Sequence, residues 1–285
     1  MQFYQVDVFA KRAGAGNPLG VVLGGQAWTD AKMQQFAKWT NLVETTYLLP
    51  AESADASYRL RIFTPHKEIA FAGHPTIGSA HVALESGFAQ GAAGVLQQEC
   101  AAGILPIAIA GAGSARLLAV KAPTARVLGC HDDPRLHAIL RGLSLGALAP
   151  TLVEGGRRWW MAELGDEATL RAWQPDHAAI GALARDSDAL GLCVFARSVS
   201  AEHDLVVRAF PAGVGIIEDP ASGAANGLIG AYIAQMEPQG ALARGYRVSQ
   251  GREIGHDAQI KIRIEGNDVW VGGQTQTVIM GPLYF

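Results

Sequence analysis

Three polar side chains stand where a weakly charged chain has little structural reason to place them. Only 17% of the 285 residues are charged, yet Glu44 falls inside NLVETTYLLP (residues 41–50), a run dominated by β-formers. Glutamate is depleted in strands, and burying it without a partner costs free energy. His74 precedes Pro75 in FAGHPTIGSA, and Asp219 precedes Pro220 in EDPASGAANG. Two carboxylates and an imidazole are the side chains of general acid–base chemistry. Proline is tolerated at the first helical position, where its missing N–H would be an orphan anyway. Pro75 therefore predicts a helix start with His74 at an N-cap-like position, and Asp219 to Gly223 predicts a second start of the same kind. The orphan N–H groups there, with the helix dipole, make anion sites. Two such starts converging on one cleft would hold a small carboxylic acid.

Each residue also has a plainer role. His74 could be only a cap, Asp219 only an Asp-Pro turn or N-cap, and Glu44 could turn outward from an edge strand. What weighs between these readings is the set of elements that must carry the three.

FYQVDVF, SYRLRIF, RLLAVKA, DLVVRAF, QIKIRIEG and NDVWVGG alternate with period two, and most are separated by Gly, Pro, Asn or Asp turns. That is the pattern of antiparallel strands covered on one face. Helical periodicity appears in AWTDAKMQQFAKWT, where Thr29 or Asp30 could cap, and in PTIGSAHVALESG, PRLHAILRGL and AANGLIGAYIAQM. Four helices among a dozen or more strands predict an α+β fold. One echo divides the chain. Arg61-Ile62-Phe63 leads through a loop to the His74 segment and a small-residue helix, and Arg208-Ala209-Phe210 leads likewise to the Asp219 segment and another. A duplicated domain accounts for both. The two helices are apolar on all sides, so each is expected inside a curved sheet rather than on a surface.

Other motifs lack the context their chemistry requires. GLSLG (142–146) matches a nucleophile elbow, but a helical pattern precedes it where a strand is required, and Asp176 and His177 are adjacent in sequence. AGAGNPLG lacks the third glycine of a dinucleotide loop, and IAGAGSARLL is flanked by strands. His131, Asp132, Asp133 and His137 fit no metal-ligand spacing, and Asp133-Pro134 predicts a helix cap instead. No metal is expected. Three scattered cysteines, Cys100, Cys130 and Cys193, suggest neither a disulfide framework nor a zinc knuckle. The net charge of −3 and the absence of a basic stripe speak against nucleic acid as a partner. No apolar run is long enough for a membrane helix and the start resembles no signal peptide, so a cytoplasmic setting is expected.

Taken together, GNPLGVVL, VETTYLL, RIFTPHKEIAFAGHPTIGSAHVAL, EDPASGAANGLIGAYI, the RWWMAEL…QPDH middle and the closing GGQTQTVIMGPL resemble the phenazine-biosynthesis PhzF-like isomerase family over nearly the whole chain. That family is similar in fold to diaminopimelate epimerase and proline racemase. The resemblance implies two pseudo-symmetric halves, each a mostly antiparallel barrel around a central helix. They would be residues 1–121 plus 275–285, holding the His74 helix, and 122–274, holding the Asp219 helix. It implies a homodimer, no cofactor, and Glu44 moving a proton with His74 and Asp219 assisting. Backbone amides at Gly73 and Gly223 would hold the substrate carboxylate, and Asn17 would line the first half. This chain has Ala224 where the phenazine isomerase has serine. Related racemases use paired cysteines, and the resemblance implies Ala72 and Pro220 at those positions. The expected activity is cofactor-independent isomerisation of a small cyclic or unsaturated amino or hydroxy carboxylic acid, with desolvation raising the Glu44 pKa toward neutrality. A thiol-independent epimerase using Glu44 and Asp219, and a non-catalytic small-carboxylate binding protein, are the alternatives.

Overall fold

The computed structural model describes residues 1–129 and 133–285, so Cys130, His131 and Asp132 lie outside the described residues. The chain divides into two compact units, Met1–Lys121 with Gly272–Phe285, and Ala122–Val271. The return to unit 1 begins at Gly272 rather than 275, because its backbone already runs against Leu118 and Ala119 of unit 1.

Unit 1 begins with strands β1 (Gln2–Val8) and β2 (Asn17–Leu23), helix α1 (Asp30–Thr40), and strands β3 (Thr45–Leu49), β4 (Tyr58–Phe63) and β5 (Glu68–Ile69). Helix α2 (Gly73–Glu85) follows, then β6 (Val95–Cys100), β7 (Gly103–Ala110) and β8 (Leu117–Lys121). Unit 2 contains β9 (Arg126–Val127), α3 (Pro134–Ile139), β10 (Thr151–Gly155), β11 (Arg157–Glu163), α4 (Glu167–Ala172) and α5 (His177–Asp186). It continues with β12 (Gly191–Arg197), β13 (Leu205–Phe210), α6 (Gly223–Met236), β14 (Gly245–Gln250), β15 (Ala258–Glu265) and β16 (Asp268–Gly273), at whose Gly272 the chain returns to unit 1. The last strand, β17 (Thr275–Pro282), pairs with β1.

The pairing pattern of the two units is the same. β1–β2 is antiparallel, β2–β3 parallel, β3–β4 antiparallel, β4–β6 parallel and β6–β7 antiparallel. In unit 2, β10–β11, β11–β12, β12–β13, β13–β14 and β14–β15 repeat that series in order. The Arg-x-Phe echo is thus one sample of a duplication that runs through every layer. Each unit is a mixed, mostly antiparallel sheet around one helix, an α+β arrangement.

Helix α2 is buried continuously from His74 to Ala83, and α6 over most of its length. Burial on all sides needs small residues where strands approach. A Cβ on Gly78 would come within 2.5 Å of the Leu19 side chain. Such helices have no polar face, which is why the apolar-all-round pattern was informative.

Two helices beyond the expected four, α4 and α5, are present among the described residues. Their apolar residues are few and interrupted (Leu170; Ile180, Leu183, Ala184), and their caps, Asp166 and Asp176, are the clearest local signals. Asp176 is engaged with the Ala179 N–H, so Asp176-His177 serves a helix start and no triad. Asp133 caps α3 with proline at its first position, as expected. AGAGNPLG forms the β1–β2 hairpin, with Gly14 N–H donating to Asp7 Oδ2, and at Gly16 (φ +75°) a Cβ would strike the Val8 carbonyl at 2.2 Å. No helix follows it, so the loop cannot cradle a dinucleotide. Ser144 lies in irregular chain after α3, with neither a strand before it nor a helix after it, and its carbonyl accepts from Gly165 N–H. Among the described residues no helix is long and apolar enough to cross a membrane, and no group of three or more His, Cys, Asp or Glu is arranged to hold a metal ion.

Candidate functional site

Glu44 is the residue before β3, not a member of it. Its carbonyl accepts from Gly20 N–H of the parallel neighbour β2 at 3.4 Å. Its side chain is only 12% exposed, and Oε2 lies 3.4 Å from His74 Nε2. The strand formers Thr45 to Leu49 are all buried, so the chain reaches the carboxylate from a rigid strand and delivers it to the start of α2.

That helix starts earlier than the proline suggested. Gly73 is its first residue, Ala72 its N-cap without a side-chain bond, and His74 and Pro75 are its second and third residues. His74 is therefore not a cap, and its ring faces Glu44. The first amide bonded within the helix is that of Thr76, to the Ala72 carbonyl. Pro75 has no N–H, so Gly73 and His74 are left as the two donors at this helix start with no hydrogen bond among the described residues. Burial pushes the His74 pKa down to about 3. The nearby carboxylate opposes that shift, but a ring this enclosed gains little by charging, and the imidazole is neutral at pH 7. Its Nε2 has no partner of hydrogen-bond geometry among the described residues. Asn17, fully buried, is the first residue of β2, in the strand that pairs with β3.

In unit 2 the corresponding segment is built differently. Asp219 bridges to Ala209, and its Oδ1 accepts from Ala221 N–H at 3.1 Å, closing a tight turn around Pro220. The N-cap of α6 is Ser222, whose Oγ accepts from Ala225 N–H. Asp219 is therefore a turn-former ahead of the cap. Because Ser222 takes the third amide and Asn226 N–H bonds Ser222 O, the donors left are again those of the first two residues, Gly223 and Ala224. Proline in one helix and a serine cap in the other leave the same pair of N–H groups open.

The helix frame also sets the two starts side by side. The residue before the first helical glycine is Ala72 in unit 1 and Ser222 in unit 2, and Pro220 lies two residues ahead of that cap. Cys193 is buried in unit 2, where burial and the Asp219 charge push its thiol pKa far up.

Two features escaped the sequence reading. Gln250, fully buried at the end of β14, accepts from Ser222 N–H and Asn226 Nδ2 and donates to the Asp219 carbonyl. Gln98 on β6 makes a related contact from two register positions earlier, since it pairs with Tyr58 whereas Gln250 pairs with Val207; it donates to Thr76, the fourth residue of α2 as Asn226 is of α6. The only signal was a glutamine ending or interrupting an alternating strand. The second feature is Gly191. Phe63 pairs with Thr45 and Phe210 with Leu192, so the unit 2 counterpart of Glu44 is Gly191. A Cβ there would lie 1.9 Å from the Phe210 carbonyl, so no side chain fits.

The fold and this site define an isomerase-type α+β protein of duplicated units, and the comparisons with known proteins agree. Residues 6–281 match the family model described as phenazine biosynthesis-like protein. Antisense-enhancing sequence 1 of Schizosaccharomyces pombe is 31% identical, covering 99% of this chain and 98% of its own. The trans-2,3-dihydro-3-hydroxyanthranilate isomerase of Pseudomonas aeruginosa is 30% identical, covering 93% of this chain and 91% of its own. The PhzF-family protein of Bacillus anthracis is 22% identical and shows the same fold, with a TM-score of 0.87 over 100% of this chain and 99% of the other. The chain belongs to the phenazine biosynthesis-like protein family, and it is an isomerase of that family.

Proposed function

We propose that the protein isomerises a small cyclic or unsaturated amino or hydroxy carboxylic acid without a cofactor, with Glu44 as the general base. The observation that carries this reading is the Glu44–His74 pair at the start of α2, with Oε2 and Nε2 3.4 Å apart beside two open helix N–H groups. Glu44 takes a proton from a ring carbon, the electron pair delocalises toward the substrate carboxylate, and the Glu44 carboxyl, able to exchange its proton with solvent meanwhile, returns one to another carbon of the conjugated system. No atom is gained or lost. An imidazolium beside Glu44 would lower its proton affinity, whereas a neutral His74 leaves it basic and can relay hydrogen. The amides of Gly73 and His74 are assigned to negative charge developing on the substrate. Asn17 is assigned to substrate binding in unit 1. Asp219 is assigned as a second proton-handling carboxylate, and the Gly223 amide as a further anion donor.

The lack of room for a side chain at Gly191 supports a single principal base. The relative named trans-2,3-dihydro-3-hydroxyanthranilate isomerase supplies the substrate class. A cytoplasmic location and a homodimer go with this reading. The exposed apolar run Val278, Ile279 and Met280 on β17 supports self-association, which light scattering on the purified protein tests.

The decisive experiment incubates the protein in D₂O with trans-2,3-dihydro-3-hydroxyanthranilate and follows C–H exchange and product formation by NMR. Glu44→Gln is expected to lower turnover by about 10²–10⁴-fold while leaving the circular dichroism spectrum unchanged. A folded Glu44→Gln protein with full turnover would overturn the proposal.

A further inference from the structure

Asp219 and the start of α6 are not held by the helix alone. The Gln250 side chain is completely buried and uses both ends of its amide. Oε1 accepts from Ser222 N–H at 3.2 Å and from Asn226 Nδ2 at 2.8 Å, and Nε2 donates to the Asp219 carbonyl at 2.9 Å. With two N–H donors on one side and a carbonyl on the other, the amide has a single orientation that satisfies all three. Asn226 Nδ2 also donates to the Ser222 carbonyl at 2.8 Å, so the Gln250 and Asn226 side chains, bonded to each other, hold the N–H and the carbonyl of the cap residue between them.

These bonds decide which groups of the segment remain outward. Ser222 N–H is taken by Gln250, Ala221 N–H by the Asp219 carboxylate, and Ala225 N–H by the Ser222 hydroxyl. Only the amides of Gly223 and Ala224 are left without a partner among the described residues. Behind the turn, a Cβ on Gly251 would lie 2.5 Å from the Pro220 carbonyl, so the chain just beyond Gln250 packs directly on the Asp-Pro turn. On its other side, Glu218 is fixed by a two-bond pair with Arg208. The Asp219 carbonyl, between them, is gripped by Gln250.

We infer that Gln250 is a positioning residue for the Asp219–Gly223 segment: its buried amide fixes the Asp219 backbone and the Ser222 cap in one geometry, and so aims the Gly223 and Ala224 amides at an anionic group. The effect on catalysis rests on the function proposed above, but the geometric part does not. Gln98 in unit 1, whose register counterpart in unit 2 is Val248, gives a contrast. It also accepts from a side chain, Tyr58 Oη at 3.0 Å, and donates to the fourth residue of its helix, Thr76 Oγ1 at 3.1 Å. In α2, however, no polar segment precedes the cap, and Gln98 reaches none. The additional contacts of Gln250 go to the segment that carries Asp219.

The test uses two variants of the full chain. Gln250→Met keeps the length and removes every hydrogen bond. Gln250→Glu keeps the acceptors for Ser222 and Asn226 but sets a carboxylate oxygen against the Asp219 carbonyl. The readouts are amide hydrogen exchange at residues 221–225, which needs no ligand, and the NMR shifts of the Gly223 and Ala224 amides on titration with anthranilate. Exchange in this segment should rise about tenfold in either variant, the scale of one lost hydrogen bond, with α2 unchanged. Anthranilate affinity should fall by a similar factor. Unchanged exchange and unchanged Gly223 and Ala224 shifts in folded Gln250→Glu would overturn the inference, and that isosteric variant decides the matter if Gln250→Met does not fold. Should wild-type protein ignore anthranilate, the anion-binding reading fails, and the exchange measurement still judges Gln250.

Discussion

The two helix starts are built on one plan and finished for different tasks. Each unit places an arginine on the strand before its helix, bonds it bidentately to a glutamate five residues ahead of the first helical glycine, and stacks it on a phenylalanine. Arg61 meets Glu68 at 2.8 and 2.7 Å and lies 5.2 Å from the Phe63 ring. Arg208 meets Glu218 at 2.9 and 2.8 Å and lies 5.1 Å from Phe210. The remaining arginine nitrogen turns to a helix in each case, to Asp30 of α1 or to the carbonyls of Leu170 in α4 and Trp173 just after it. Upon this shared frame unit 1 adds Glu44 and His74, and unit 2 has Gly191 and Ala224 in their places. A duplicated scaffold can keep its skeleton in both copies while the polar side chains mounted on it differ, because the skeleton is needed for folding and those side chains are not.

The comparison can be broken most sharply at the arginines. The Arg208–Glu218 pair is buried, with side chains 5% and 4% exposed, whereas Glu68 is 38% exposed. Arg208→Met strands a buried carboxylate and should cost about 3–5 kcal/mol in urea unfolding. Arg61→Met leaves Glu68 partly in water and should cost about 0–1 kcal/mol. Equal losses would show that the two frames are energetically alike despite their burial.

A second contrast is in pH. His74 has a folded pKa near 3 against about 6.5 for the unfolded chain, so the unfolded state binds more protons between those values. Stability from this residue is complete above pH 6.5 and is lost as the pH falls toward 3, at up to about 1.4 kcal/mol per pH unit. Ala224, its helix-frame counterpart, titrates nothing. Wild-type stability measured against His74→Gln should therefore fall across that window. A flat difference would mean the ring is charged or accessible in the folded protein.

Gly191 is the third point. Gly191→Ala should destabilise by about 1–3 kcal/mol through collision with the Phe210 carbonyl, read from the thermal midpoint. A neutral result would show that a side chain fits at the unit 2 counterpart of Glu44. The smallest effect is at the caps. Ser222→Ala should cost about 1 kcal/mol, while Ala72→Ser should gain less than about 0.5 kcal/mol, because Pro75 offers no amide to cap. Denaturation midpoints of the two variants check the difference.

Much of this was legible before any coordinates. Alternating runs such as SYRLRIF and DLVVRAF located β4 and β13, the apolar-all-round segments located the two enclosed helices, and the Arg-x-Phe echo exposed the duplication. The misreadings cluster at boundaries. His74 looked like a cap and is the second helical residue, because Ala72, with no side chain to bond, adopts the extended cap conformation. Asp219 looked able to cap α6, but Ser222 is closer to the first turn and does so. Glu44 looked like a strand residue and stands just outside one. Gln98, Gln250 and Gly191 went unread because their meaning is a partner far along the chain. A glutamine bonding a cap across 28 positions, or a glycine pressed against another strand's carbonyl, leaves no local pattern.

Composition, periodicity and proline spacing determined the two enclosed helices and many of the strands, the number of copies and the residue types available for proton transfer, since each depends on neighbours within a few positions. Tertiary structure alone decided which carboxylate meets an imidazole, which N–H groups stay open and which copy has no room for a base. Those outcomes depend on strand register and helix placement, where a shift of one residue changes every partner.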